Sequence, residues 1–113
     1  MGQLLYDGGS QTFDVDDRTL AHLRVVFMNK LRRSEPFLFH LPDPSSVGTR
    51  SLWIHPGISM VFSFYGSRQP AMNRQWIDAM MTEANGPHGL SLGPEPEART
   101  EQPVSGTLRR PTG

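Results

Sequence analysis

The chain has 113 residues, room for one modest domain with one hydrophobic core. Eleven basic side chains balance eleven acidic ones, so no global charge drives it toward nucleic acid or an anionic membrane, and the lack of cysteine removes disulfides, thiolate metal sites and thiol nucleophiles together. The start, MGQLLYDGG, has no basic region or long apolar run, and no stretch approaches the roughly 20 apolar residues that span a bilayer. The expectation is a soluble, cytoplasmic protein without membrane contact.

In chain order, Gln3 to Tyr6 and Gln11 to Val15 read as two short strands. Asp7-Gly8-Gly9-Ser10 between them has hairpin chemistry, since glycine accepts positive φ without a steric penalty. Asp16 to Arg33 reads as a helix. Leu20, Leu23, Phe27 and Leu31 fall on one stripe at about 100° per residue. Asp16 and Asp17 stand where carboxylates cap free amides, and Lys30, Arg32 and Arg33 stand at the end that favours cations. Pro36 then closes the helix.

Phe37 to Leu41, Ser51 to His55 and Met60 to Tyr65 read as three more strands, separated by the loop PDPSSVGT and by Pro56-Gly57. A second helix is expected from Ala71 to Ala84, with Ser67 or Asn73 as its cap and Pro70 near its first turn. Met72, Trp76, Ile77, Met80, Met81 and Ala84 keep helical spacing. Asn85-Gly86-Pro87 reads as a left-handed stop followed by a breaker, and Leu90 to Leu92 as a last short strand. Residues 94–113 are proline-rich and polar, and a disordered tail is expected there after a single domain over 1–93.

The order β-β-α-β-β-β-α-β predicts an α+β fold, a mostly antiparallel sheet with two amphipathic helices packed on it. Pairing Phe37–Leu41 with Ser51–His55, and that strand with Met60–Tyr65, puts Leu38, Leu52, Ile54, Phe62 and Phe64 on one face. Phe37, Phe39, Trp53, Val61 and Tyr65 then share the other. A one-residue slip would exchange the two sets. Both faces are apolar, so both are expected to need cover.

The succession DDRTLAHL, KLRRSEPFLF, SLWIHPGIS, FSFYGSRQPAMNRQW and AMMTEANGPHGLSLGPEP resembles a family of small actinobacterial proteins that form a domain of unknown function. The resemblance runs from Met1 to about Pro96 and rests on HP, GSRxPAxNRxW and ANxPxGL in combination. It implies no reaction. Some members carry the automatic label "ATP-dependent DNA ligase", which the residues do not support. Adenylation needs a lysine nucleophile in a K-x-D-G setting. The single lysine here is Lys30, set in KLRR.

Two constellations are candidates for binding. Arg32, Arg33, Arg50, Arg68 and Arg74 would suit phosphate or nucleic acid if they converge near a helix N-terminus, since arginine gives forked hydrogen bonds to phosphate. The competing reading is solvated charges, some paired with Glu35, Asp43 or Asp78. Phe37, Phe39, Trp53 and Tyr65, if exposed together, would form a self-association interface or stack bases. The competing reading is that a helix buries them. His22, His40, His55 and His88 follow no metal-ligand spacing, and no phosphate loop or nucleophile motif occurs, so neither metal nor cofactor is expected. The expected function is a non-catalytic interaction or self-association module, with an accessory nucleic-acid-binding module as the alternative and an enzyme third.

Overall fold

The computed structural model describes residues 2–66, 68 and 70–96. Its elements are β1 (Gly2–Tyr6), β2 (Gln11–Val15), α1 (Asp17–Arg32), β3 (Phe37–Pro42), β4 (Thr49–Ile54), β5 (Met60–Ser63), α2 (Arg74–Ala84) and β6 (Leu90–Ser91). The class is α+β, as the residue pattern predicts. Asp7, Gly8 and Gly9 all take left-handed φ, at 58°, 68° and 89°, which folds β1 back onto β2. Leu4 then pairs with Phe13, and both are buried beside Tyr6 and Val15.

The strands form two three-stranded sheets, ordered β2-β1-β5 and β4-β3-β6. All pairings are antiparallel except β3 with β6. This corrects the expected partner of β5. It pairs with β1, not β4, because a turn closed by the Ile58 amide on the His55 carbonyl leads the chain away from β4. The Asp7 amide bonds the Ser59 carbonyl and holds the start of β5 against the end of β1.

The register also corrects the expected faces. Phe37 stands opposite Ile54 and Phe39 opposite Leu52, and all four are buried together with Leu41. The opposite face carries Leu38 against Trp53 and His40 against Ser51. That polar pair decides the orientation: turning it inward would bury a histidine and a serine in an apolar layer. Neither sheet has its outer face covered as expected, since Trp53 of β4 and Val61 of β5 remain 50% and 52% exposed.

Asp16 caps α1 by accepting from the Thr19 amide, while the Asp17 carboxylate takes the Tyr65 and Gly66 amides of the connection after β5. Those amides hold the Asp17 carboxyl below the usual carboxylate range. α2 starts at Arg74 rather than Ala71. Asn73 is extended and caps it by accepting from the Trp76 amide, which leaves Pro70, Ala71 and Met72 outside the helix. Asn85 is right-handed, not the expected left-handed stop; the left-handed residue is Gly89, with φ +83°. Of residues 94–113, 97–113 lie outside the described residues, and Glu95 is bonded to both helices rather than loose. Phe27 of α1 sits in the centre of the core, edge-on to Phe37 and Phe39 of one sheet and Phe62 of the other.

Candidate functional site

The two helices run side by side in the same direction. His22 and Arg18 of the first turns of α1 meet the start of α2 through Asn73, Trp76 and Glu95, while Lys30 near the end of α1 meets Asn85 at the end of α2. Two positive helix ends therefore meet at one pole and two negative ends at the other.

At the positive pole the Glu95 carboxylate accepts from Arg18 Nε and Nη2, both at 2.8 Å, and from Asn73 Nδ2 at 2.8 Å. The Arg18 guanidinium, then the Asn73 amide, hold the Glu95 carboxyl down at about 2. Arg18 Nη1 donates to the Ala71 carbonyl. His22 is fully buried: its Nε2 accepts from the Asn73 amide, so Nδ1 carries the proton it donates to the Arg18 carbonyl. Its ring lies 4.6 Å from that of Trp76. Arg18, His22, Asn73 and Glu95 are thus bonded to one another in a cluster that joins the two helix starts.

The sign of its pH dependence follows. A carboxyl depressed in the folded state stabilises the fold above its ordinary value near 4.5, and that contribution fades as pH falls toward 2. Because Glu95 is partly solvated, we expect Glu95→Gln to cost about 1–2 kcal/mol at pH 7. Thermal unfolding of both proteins from pH 7 down to 2 should show the difference shrinking to near zero. A gap that persists at pH 2 would contradict the ion pair as its cause.

At the negative pole Lys30 is buried, 5% exposed, with its ammonium bonded to Asn85 Oδ1 and 3.2 Å from Glu35 Oε1. The ends of both helices explain how a cation is tolerated there. Beside it lies a recess of 240 Å³.

Along the outer side of the pair runs a groove of 570 Å³ between Val25 and Asn29 of α1 and Ile77 and Met81 of α2, with Met72 before α2 also lining it. Arg33 and Arg74 line it too. Arg33 caps the end of α1 and Arg74 opens α2, so in this parallel pair they border the groove from opposite ends. Arg32, Arg33, Arg68 and Arg74 are exposed. Arg50 lies at the far end of the β3–β4 pair, bonded to Asp43 and Gln11 and stacked over Phe13. The Ser45 amide and hydroxyl, then Arg50, lower the Asp43 carboxyl.

Of the four aromatic candidates, Phe37 and Phe39 are core residues at 4% and 0% exposure, so they form no surface with Trp53 and Tyr65, which are exposed. His40 bonds Ser51 Oγ and the His88 carbonyl, and His55 Nδ1 accepts from the Gly57 amide. Among the described residues no group of three or more His, Cys, Asp or Glu side chains could hold a metal ion, and no helix is long and apolar enough to cross a membrane.

Residue patterns singled out neither pole. Lys30 carried a signal, since it falls three residues after Phe27 and seven after Leu23, on the buried stripe. Arg18 and His22, one turn apart, carried a weaker one. Glu95 carried none, because nothing periodic places it against α1.

No curated protein and no solved structure matches the chain. A family model described as Domain of unknown function (DUF7882) matches residues 1–95, ending on the glutamate that bonds Arg18 and Asn73. The chain belongs to that family.

Proposed function

We propose that this is a non-catalytic interaction domain that associates with a second copy of itself through the groove between α1 and α2. The observation that carries the reading is the groove itself, where the apolar Val25, Met72, Ile77 and Met81 lie among the polar Asn29, Arg33, Arg74 and Asp78. Met72 is 42% exposed, and Met28, one turn from Val25 on α1, is 48% exposed. Methionine adapts its shape to a facing surface and suits such contacts. Zero net charge removes long-range repulsion between copies. The absence of catalysis is supported by Lys30, the sole lysine, being buried and engaged by Asn85 and Glu35 rather than presented as a nucleophile.

The alternative, nucleic-acid binding, has four exposed arginines in its favour and their separation along the helix pair against it. Light scattering over a wide range of protein concentration tests the first reading. The mass should rise toward two chains, and Met72→Glu, at an exposed site, should keep it at one. A mass of one chain at every concentration overturns self-association. Fluorescence anisotropy with labelled DNA at two salt concentrations tests the other. A salt-dependent signal lost in Arg33→Ala/Arg74→Ala would favour it, since phosphate contacts release counterions.

A further inference from the structure

The recess at the negative pole carries an inference independent of self-association. Its inner wall is formed by the buried Lys30, Phe37 and Gly89, and its rim by the exposed Pro36, Trp53 and Pro87. An ammonium has three N–H donors. Asn85 Oδ1 and Glu35 Oε1 engage two, and among the described residues no third acceptor bonds Nζ. A buried charge gains from a further acceptor, because the low-dielectric surroundings raise the cost of an unused donor.

The electrostatics restrict what that acceptor can be. Glu35 already neutralises Lys30 at 3.2 Å, and both helices direct their negative ends here. An incoming anion would meet a carboxylate and two helix C-termini. A neutral carbonyl oxygen, with only a partial negative charge, meets the donor against far less repulsion. The rim restricts the rest of the ligand, since Trp53, Pro36 and Pro87 offer one aromatic ring and two saturated rings as walls. At about 30 Å³ per water the volume corresponds to roughly eight waters, enough for a five- or six-membered ring with its carbonyl.

We propose that the Lys30 recess binds a small neutral amide, its carbonyl oxygen accepting from the Lys30 ammonium and its apolar ring seated against Trp53. The amide could be a free lactam or a prolyl unit within a peptide; the chemistry at Nζ is the same.

The single lysine makes the test direct, because protein labelled with ¹⁵N-lysine and ¹⁵N-tryptophan gives one ammonium signal beside two indole signals. The full chain is titrated with δ-valerolactam, with N-acetylproline amide and with cyclopentanecarboxylate. Saturable shifts of the Lys30 ammonium and of the Trp53 indole with an amide support the proposal. A stronger response to lactam identifies a free ligand, and a stronger response to the prolyl amide a peptide. Trp53→Ala, at a half-exposed site that does not hold the core, should weaken binding several-fold. Lys30→Met should weaken it by about 10- to 100-fold, the loss of one hydrogen bond to a charged donor. Should Lys30→Met fail to fold, the ammonium signal and Trp53→Ala decide alone. Three results overturn the proposal: no saturable shift with either amide up to its solubility, binding of the carboxylate as tight as that of the amides, or shifts unchanged in Trp53→Ala.

Discussion

Phe27→Ala is expected to cost about 3–5 kcal/mol, the range for emptying a buried aromatic site that cannot collapse. The size follows from where the ring stands. It is 1% exposed and lies 5.2 Å from Phe37, 5.2 Å from Phe39 and 5.7 Å from Phe62, at interplanar angles of 78°, 82° and 79°. Each pair is edge-on, the arrangement that adds to simple burial. Phe37 and Phe39 belong to β3 and Phe62 to β5, so the ring links two sheets that the strand ladders leave separate. Inward movement of either sheet would have to carry its paired strands with it. A small domain holds about 5–15 kcal/mol in total, so the variant should unfold at far lower urea than the parent, with an unchanged slope. Phe27→Leu, which keeps most of the volume, should lose much less. A loss below 1 kcal/mol for the alanine variant would mean that the core closes around the gap, against the geometry of three facing rings.

The same centre shows what the amino-acid pattern could and could not tell. α1 was legible because independent signals coincide on it: a carboxylate cap at Asp16, cations in the last turn, and Leu20, Leu23 and Phe27 on one stripe. Asn73 was one of two cap candidates for α2, the other, Ser67, lying outside the described residues, and the start of the helix was displaced by three residues because Met72 mimics its apolar period while standing outside it. Strand partners were harder. β3 and β4 are apolar at both parities, so period alone left the register open, and the polar pair His40 and Ser51 was the clue that settles it. The pairing of β5 with β1 depends on contacts across more than fifty residues, which no local pattern encodes.

The candidate site was legible only in part, and for a related reason. Arg33 and Arg74 do share a groove, but whether two helix-end charges converge depends on helix direction, and two parallel helices keep the end of one away from the start of the other. Glu95 read as tail because its neighbours are prolines and charges. Its role arises from the guanidinium of Arg18, 77 residues earlier. Lys30 was visible as a residue without a motif. Its significance comes from sitting where both helices end beside a recess, a property of packing rather than of spelling.

Gly89→Ala is expected to cost about 2–4 kcal/mol, and the cost should separate into two parts. The first is backbone: φ of +83° suits glycine and strains an L-residue. The second is contact. A Cβ at Gly89 would lie 2.5 Å from the Leu38 carbonyl oxygen and 2.9 Å from the Leu38 Cβ. Leu38 cannot yield, because β3 is the central strand of its sheet, paired through Phe39 to Leu52 on one side and to Leu90 on the other. The chain after Gly89 would have to move instead. That movement would disturb the fully buried Leu90, the Leu92 amide on the His40 carbonyl and the Ser91 amide on the Glu83 carboxylate. Gly8→Ala provides the comparison, since Gly8 has φ +68° and nothing within 4 Å of its would-be Cβ. It should lose only the backbone part, about 1 kcal/mol. Urea unfolding of the two variants measures the difference, and hydrogen exchange at Leu90 and Leu92 should quicken in Gly89→Ala alone. Equal losses would mean that Leu38 gives way after all, and that the close approach of β6 to β3 is not what requires glycine at this position.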